Sequence, residues 1–265
     1  MSWQPVIVEG HFGEWLQGRM GATGPVALVT VRCPPLRVRA PGADDPPFSR
    51  DQLAHFAAQL GSPAQFPGAT CNAPLGGGAG ASTATLIALA RAAGITASAE
   101  ALAAACLAVE GASDPLMFPQ PDTLLWASRE GRILRRMPPP PTCQILGGFW
   151  GRPHRTDPGD MDFDDITDLA AAWAEAVQLR DLRRCATLAS TSAQRCTERR
   201  GPPPYLTPDP TPDLARDLGA LGWLRAHTGS ARGLIFAPGT VPRDGAGALA
   251  EAEFSGVISF RTGGA

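Results

Sequence analysis

The stretch Pro74-Leu75-Gly76-Gly77-Gly78-Ala79-Gly80-Ala81-Ser82-Thr83-Ala84 decides how this chain is read. Four of the five residues 76–80 are glycine, so the backbone there can approach a ligand with no Cβ in the way. The alanine-rich run behind it predicts a helix over residues 82–92, with Gly94 as its stop. A glycine loop that feeds a helix start presents unpaired N–H groups and a partial positive charge, a setting suited to phosphates. Ser82 and Thr83 add hydroxyls at the same place, and one of them could ligate Mg2+ between phosphates. Taken alone, the same residues also describe a flexible glycine loop capped by Ser82.

Outward from this loop the chain alternates strands and helices without a regular βαβ rhythm. Residues 6–8, 26–31 and 36–39 read as strands, the first two joined by a glycine-punctuated segment over residues 10–24. Ser49 caps an expected helix over 50–60, and a further helix is expected over 98–110. Residues 123–127 and 133–136 read as a hairpin, and 144–149 as a strand. Helices are expected over 165–178, 181–195, 212–226 and 246–253, with strands at 234–236 and 256–260. The proline run 138–141 reads as a domain boundary and residues 202–212 as a rigid linker. This order favours an α+β fold over a doubly wound parallel sheet.

Composition removes several functions. The chain has 265 residues, 44% hydrophobic and 18% charged, with a net charge of −2, so it can bury a core and shows no polyanion-binding excess. All 23 basic residues are arginine, which excludes lysine-dependent phosphate clamps and Schiff bases. The six cysteines form no C-x-x-C pair and read as buried free thiols of a reducing compartment. The four histidines lack zinc-site spacing. No run of 18 apolar residues and no signal-peptide pattern occurs, so the expected location is cytoplasmic, with no membrane or nucleic-acid partner. The acidic residues of 157–168 read as a solvated loop, and the arginines at 183, 184, 195, 199 and 200 as a solvated helix face.

The glycine loop resembles the second motif of the GHMP kinases, P-x-x-x-G-L-G-S-S-A. Pro74, Gly78, Gly80 and Ser82 fall in register, while Ala79, Ala81 and Thr83 depart from it. Two further segments resemble the same superfamily. Gly10-His11-Phe12-Gly13-Glu14-Trp15-Leu16-Gln17-Gly18 is similar to the first motif of its L-threonine kinase branch, known from cobalamin and propanediol-utilisation contexts. Ala226-His227-Thr228-Gly229-Ser230 is similar to the third motif, which closes over triphosphate and substrate. The three motifs occur in order and span almost the whole chain.

The resemblance implies a two-lobed fold, with an S5-like ATP lobe over 1–140 and a ferredoxin-like lobe over 141–265. It implies ATP and Mg2+ as cofactors and a small hydroxyl compound as acceptor, L-threonine first among them. Pro74, Gly76, Gly77, Gly78, Ala79, Gly80, Ala81, Ser82 and Thr83 would hold the nucleotide, and Ser82 with Glu110 the metal. Asp114 would be the base or the group that orients the acceptor hydroxyl. Glu14, Gln17, Thr228, Gly229 and Ser230 would contact substrate. Some relatives place a lysine beside the catalytic aspartate; here an arginine (Arg19 or Arg232), backbone amides or Mg2+ must serve. Another acceptor such as homoserine or a polyol, or a non-catalytic binding protein on the same fold, stays open at this point.

Overall fold

The computed structural model describes residues 3–62, 65–201 and 208–264. Its frame is a nine-stranded sheet in which every strand pair is antiparallel, ordered β5-β4-β2-β1-β7-β8-β6-β9, with β3 paired to β2. The strands are β1 (Val6–Arg19), β2 (Val26–Ala40), β3 (Thr70–Cys71), β4 (Leu124–Ala127), β5 (Arg132–Arg136), β6 (Cys143–Phe149), β7 (Gly222–Arg225), β8 (Ala231–Phe236) and β9 (Ser255–Thr262). The helices are α1 (Arg50–Gln59), α2 (Ala81–Ala92), α3 (Ala99–Glu110), α4 (Thr167–Gln178), α5 (Leu182–Arg200), α6 (Thr211–Asp217) and α7 (Gly245–Glu251).

The central strands are covered on both faces, as their apolar sequence requires. On β2, Ala27, Val29 and Val31 join a core with Trp173 and Val177 of α4 and Ala186 of α5. The alternate residue Leu28 joins a second core with Leu86, Ile87 and Leu89 of α2. A one-residue slip would exchange these two sets, so the register is strongly specified. A third cluster packs Trp223, Leu234 and Phe236 of β7 and β8 against Leu249 and Ala215 of α7 and α6.

Three expectations change here. The segment over residues 10–19 is strand rather than connection: β1 runs 14 residues, with register breaks between Glu9 and Gly10, His11 and Glu14, and Glu14 and Leu16. Its glycines re-aim side chains at bulges instead of ending the strand. Likewise 26–31 and 36–39 are one strand, with Pro34 and Pro35 in an irregularity where the pairing jumps from Cys33–Gly10 to Arg37–Glu9. The helix expected over 212–226 stops at Asp217. Gly219 adopts φ +67°, and residues 222–225 fill the sheet between β1 and β8. The linker expected over 202–212 falls largely outside the described residues. Ser49 caps α1 through a capping box with Gln52, as its sequence predicts.

Candidate active site

The glycine loop lies across the bulged part of β1. The carbonyls of Gly77, Gly78 and Ala79 accept from the backbone N–H groups of Ala231, Gly13 and His11 at 2.8, 3.1 and 3.1 Å. The carbonyl side of the loop is thereby spent on the sheet. Gly80 starts α2 with φ +65° and no side-chain cap, so the first helical N–H groups have no protein hydroxyl or carboxylate bonded from the N-cap position. A Cβ on Gly80 would stand 2.6 Å from His11 Cδ2 and from Leu116 Cδ1. Glycine here serves close packing as well as left-handed geometry.

A cleft of about 290 Å³ opens in front of this loop. Its lining includes Gly76, Gly78 to Thr83, Glu110 and Asp114, with His11 and Glu14 behind them and His154, Arg155, Thr156, His227 and Thr228 opposite. α3 ends at Glu110, and Gly111 (φ +68°) turns the chain back to the cleft. The Glu110 carboxylate accepts from the Ser82 hydroxyl and, at 3.1 Å, from Thr83 Oγ1. Thr83 Oγ1 in turn accepts from the Asp114 backbone N–H at 3.4 Å. Residues far apart in sequence thus meet within one short chain of hydrogen bonds at the start of α2.

The electrostatics of this cluster are those of partly desolvated acids whose arginines, Arg129 and Arg155, act on them without a close ion pair. Burial drives Glu110 up to about 7, opposed by the Ser82 hydrogen bond and reinforced by the charge of Asp114. Burial also raises Glu14 to about 7, against the opposing charge of His11. Ser82 and Glu110 supply two hard oxygen donors beside a phosphate-type loop. That set fits Mg2+, which is held by one or two carboxylates together with phosphates and water. Among the described residues no group of three or more His, Cys, Asp or Glu forms a self-sufficient metal cage.

Other expected residues sit behind the cleft. Gln17 is buried, and its amide donates to the Arg225 carbonyl at 3.3 Å. A Cβ on Gly229 would come within 2.2 Å of the Gly78 nitrogen, so this residue backs the glycine loop rather than facing the cleft. Ser230 is buried next to it. Of the third motif, Thr228 reaches the lining together with His227. Neither candidate arginine stands in for lysine. Arg19 donates to the Gly24 carbonyl, and the buried Arg232 pairs at 2.6 Å with the buried Asp209 carboxylate.

The sequence reading missed two parts of the site. His11 is buried between Asp114 and Glu14, with Nε2 3.4 Å from Asp114 Oδ2 and Nδ1 3.8 Å from Glu14 Oε1. Its position between Gly10 and Gly13 in the first motif was the available signal. The second part is a strap, residues 150–166, that crosses the cleft. His154 N–H donates to the Gly76 carbonyl at 2.9 Å, and the Thr156 and Thr228 hydroxyls lie 2.7 Å apart. Phe163 stacks on His227 with ring centroids 4.0 Å apart.

The chain superposes over nearly its full length on solved small-molecule kinases. Phosphomevalonate kinase of Streptococcus pneumoniae matches with a TM-score of 0.63 and 12% identity, covering 98% of this chain and 99% of that one. Mevalonate kinase of L. major, solved with R-mevalonate, gives 0.59 and 14%, covering 98% and 95%. A Listeria monocytogenes protein assigned as a homoserine kinase gives 0.60 and 14%, covering 97% and 95%. This is the fold of the GHMP kinases. No family model and no curated protein matches the sequence itself. At these identities the GHMP kinase fold is what the likeness establishes, and the chemistry must be argued from the cleft.

The strap also corrects the reading of the charged segments. Three arginines of that face reach the acidic loop, Arg195 pairing bidentately with Asp168, Arg199 with Asp162 and Asp164, and Arg200 with Asp160, while Arg184 pairs with Glu175. Among the described residues no helix is long and apolar enough to cross a membrane.

Proposed function

We propose that this chain is an ATP- and Mg2+-dependent kinase that phosphorylates the hydroxyl of a small acceptor, L-threonine first, to give O-phospho-L-threonine for the aminopropanol linker of cobalamin. The observation that carries this reading is the meeting of Ser82, Thr83, Glu110 and Asp114 at the glycine loop and the start of α2. Phosphoryl transfer asks mainly for positioning and charge neutralisation, with one carboxylate near the nucleophile. In this reading the loop 74–83 holds the triphosphate, and Ser82 and Glu110 hold the metal that neutralises it. Asp114, whose side chain is 24% exposed and faces the cleft, receives the acceptor hydroxyl. Residues 1–140 form the nucleotide lobe and 141–265 the lobe that contributes His227, Thr228 and the strap. Thr228 contacts substrate directly, whereas Gln17, Gly229 and Ser230 act by shaping the wall behind it.

The threonine assignment is supported by the first motif, Gly10 to Gly18, and by Ser82-Thr83-Ala84. Purified protein with Mg-ATP, offered L-threonine, L-serine, L-homoserine, 1-amino-2-propanol and a polyol, is expected to release ADP fastest with L-threonine. Faster turnover of homoserine or the polyol would replace the acceptor. No ADP release with any of them would end the kinase reading.

A further inference from the structure

His11 sits on β1 with its imidazole between two carboxylates. Nε2 faces Asp114 Oδ2 at 3.4 Å, and Nδ1 lies 3.3 Å from the Gly13 carbonyl and 3.8 Å from Glu14 Oε1. The other oxygen of Glu14, Oε2, accepts from the His227 backbone N–H at 2.6 Å. His11 and Glu14 are both 2% exposed. Asp114 is therefore joined through His11 and Glu14 to the loop that carries His227 and Thr228. Among the described residues, His11 is the one basic side chain within ion-pair distance of Asp114. The chain contains no lysine.

We propose that His11 is the positioning residue of the reaction: it holds Asp114 Oδ2 from behind, leaving Oδ1 to take the acceptor hydroxyl. The proposal rests on the kinase reading above. In the step it serves, the acceptor oxygen forms a bond to the γ-phosphorus and the bond from that phosphorus to the β-bridging oxygen breaks. The bonding pair leaves with ADP, and the hydroxyl proton passes to Asp114 Oδ1. Little covalent work is asked of the carboxylate in such a loose transition state, so its placement matters more than its basicity.

Charge supports the geometry. Burial pulls the His11 imidazole down, but the charge and hydrogen bond of Asp114, the charge of Glu14 and the Gly13 carbonyl more than offset it, holding it near 9. The groups facing this pair are Glu14 on β1 and Asp114 on the loop after α3. Glu110 lies beyond Asp114, Arg225 of β7 acts on Glu14, and Arg129 acts on Asp114 from the β4–β5 turn. A buried Glu14 behind a half-buried Asp114 would be costly without a cation between them, and a single imidazolium serves both.

The test has two arms on the full chain. Histidine NMR titration should show the His11 ring protonated well above pH 7 in the wild type, with its titration moved down by at least one pH unit in Asp114→Asn. This arm reads the wild type and needs no activity. In kinetics, His11→Gln should lower kcat about a hundredfold with the Kd for ATP within about threefold, and His11→Lys should recover part of that loss. A His11 ring that titrates at or below 6.5, is indifferent to Asp114→Asn, or can be replaced by glutamine with turnover kept within threefold would overturn the proposal. If wild type turns over no acceptor while the NMR arm holds, the kinase reading fails and the His11–Asp114 coupling survives it.

Discussion

Glu14 and Glu110 lie behind and beside the glycine loop, where burial raises both to about 7. Asp160 and Asp168, on the strap and at the start of α4, are held below the ordinary carboxylate range, first of all by hydrogen bonds from Arg200 and Arg195. The same functional group has thus been given opposite surroundings on two sides of one cleft. The strap acids are satisfied by arginines from α5 and need nothing more. Glu14 has the His11 imidazole beside it and Arg225 acting on it, whereas Glu110 has two hydroxyls and Arg155 acting on it, and neither makes the close arginine pairs of the strap. Satisfied pairs at a surface fasten segments together, whereas a buried acid short of cations costs stability and points to chemistry.

The sharpest way to break this contrast is at Asp114. Asp114→Asn keeps the shape of the side chain and removes its ability to take a proton. We expect kcat to fall by about a thousandfold, with ATP binding retained, measured by ADP release and by nucleotide titration calorimetry. Activity within tenfold of wild type would remove Asp114 from the chemistry and leave the loop acids without their catalytic meaning.

Glu110→Gln comes next. A glutamate whose folded value lies above its unfolded one binds more protons in the native state. Its stabilisation is therefore complete below about 4.5 and is lost as pH rises through about 7. Glu14 acts in the same sense. Without metal, melting temperature should fall between pH 5 and 8, and Glu110→Gln should flatten that fall by on the order of 2 kcal/mol in stability. The same variant should lose the stabilisation that wild type gains from Mg-ATP over ATP alone. A metal response equal to wild type would show that Glu110 is not a ligand.

How much of this was legible in the sequence divides along the same line. The glycine loop and Ser82 could be read because they sit at local signals, a glycine run and a helix start, whereas Glu110 and Asp114 enter only through the resemblance to the GHMP kinases. Most helices followed from caps and periodicity, as Ser49 and Ser98 show. Long-range pairing could not be read. The sequence around β7 predicts helix, because Pro212 and the apolar residues after it satisfy a helical pattern. Only its neighbours β1 and β8 make Gly222–Arg225 a strand. A lone histidine such as His11 carries no signal beyond its place in the first motif, and its two carboxylate partners come from a bulge in its own strand and from a loop some hundred residues away. The acidic loop and the arginine face were each visible, but read separately each resembles solvated surface.

The smallest expected effect belongs to that strap. Arg200 pairs with Asp160, donates to the Asp162 carbonyl at 2.8 Å, and places its guanidinium carbon 4.1 Å from the Phe163 ring centroid. Phe163 stacks on His227, whose ring is kept neutral by burial and by the charges of Arg129, Arg200 and Arg225. Arg200→Ala should cost about 1 kcal/mol or less in stability, a loss that shrinks as salt is added. The sign of its pH dependence is opposite to that of Glu110. A carboxylate held below its unfolded value stabilises above about 3.8 and loses that contribution in acid, so the difference between Arg200→Ala and wild type should narrow as Asp160 is protonated, leaving what the Asp162 carbonyl bond and the Phe163 contact contribute. Because the strap brings Thr156 to the cleft and packs Phe163 on His227, KM for the acceptor should rise severalfold while kcat stays close to wild type. A kcat loss on the scale of Asp114→Asn would move the strap from fastening into chemistry, and the two sides of the cleft would no longer differ in kind.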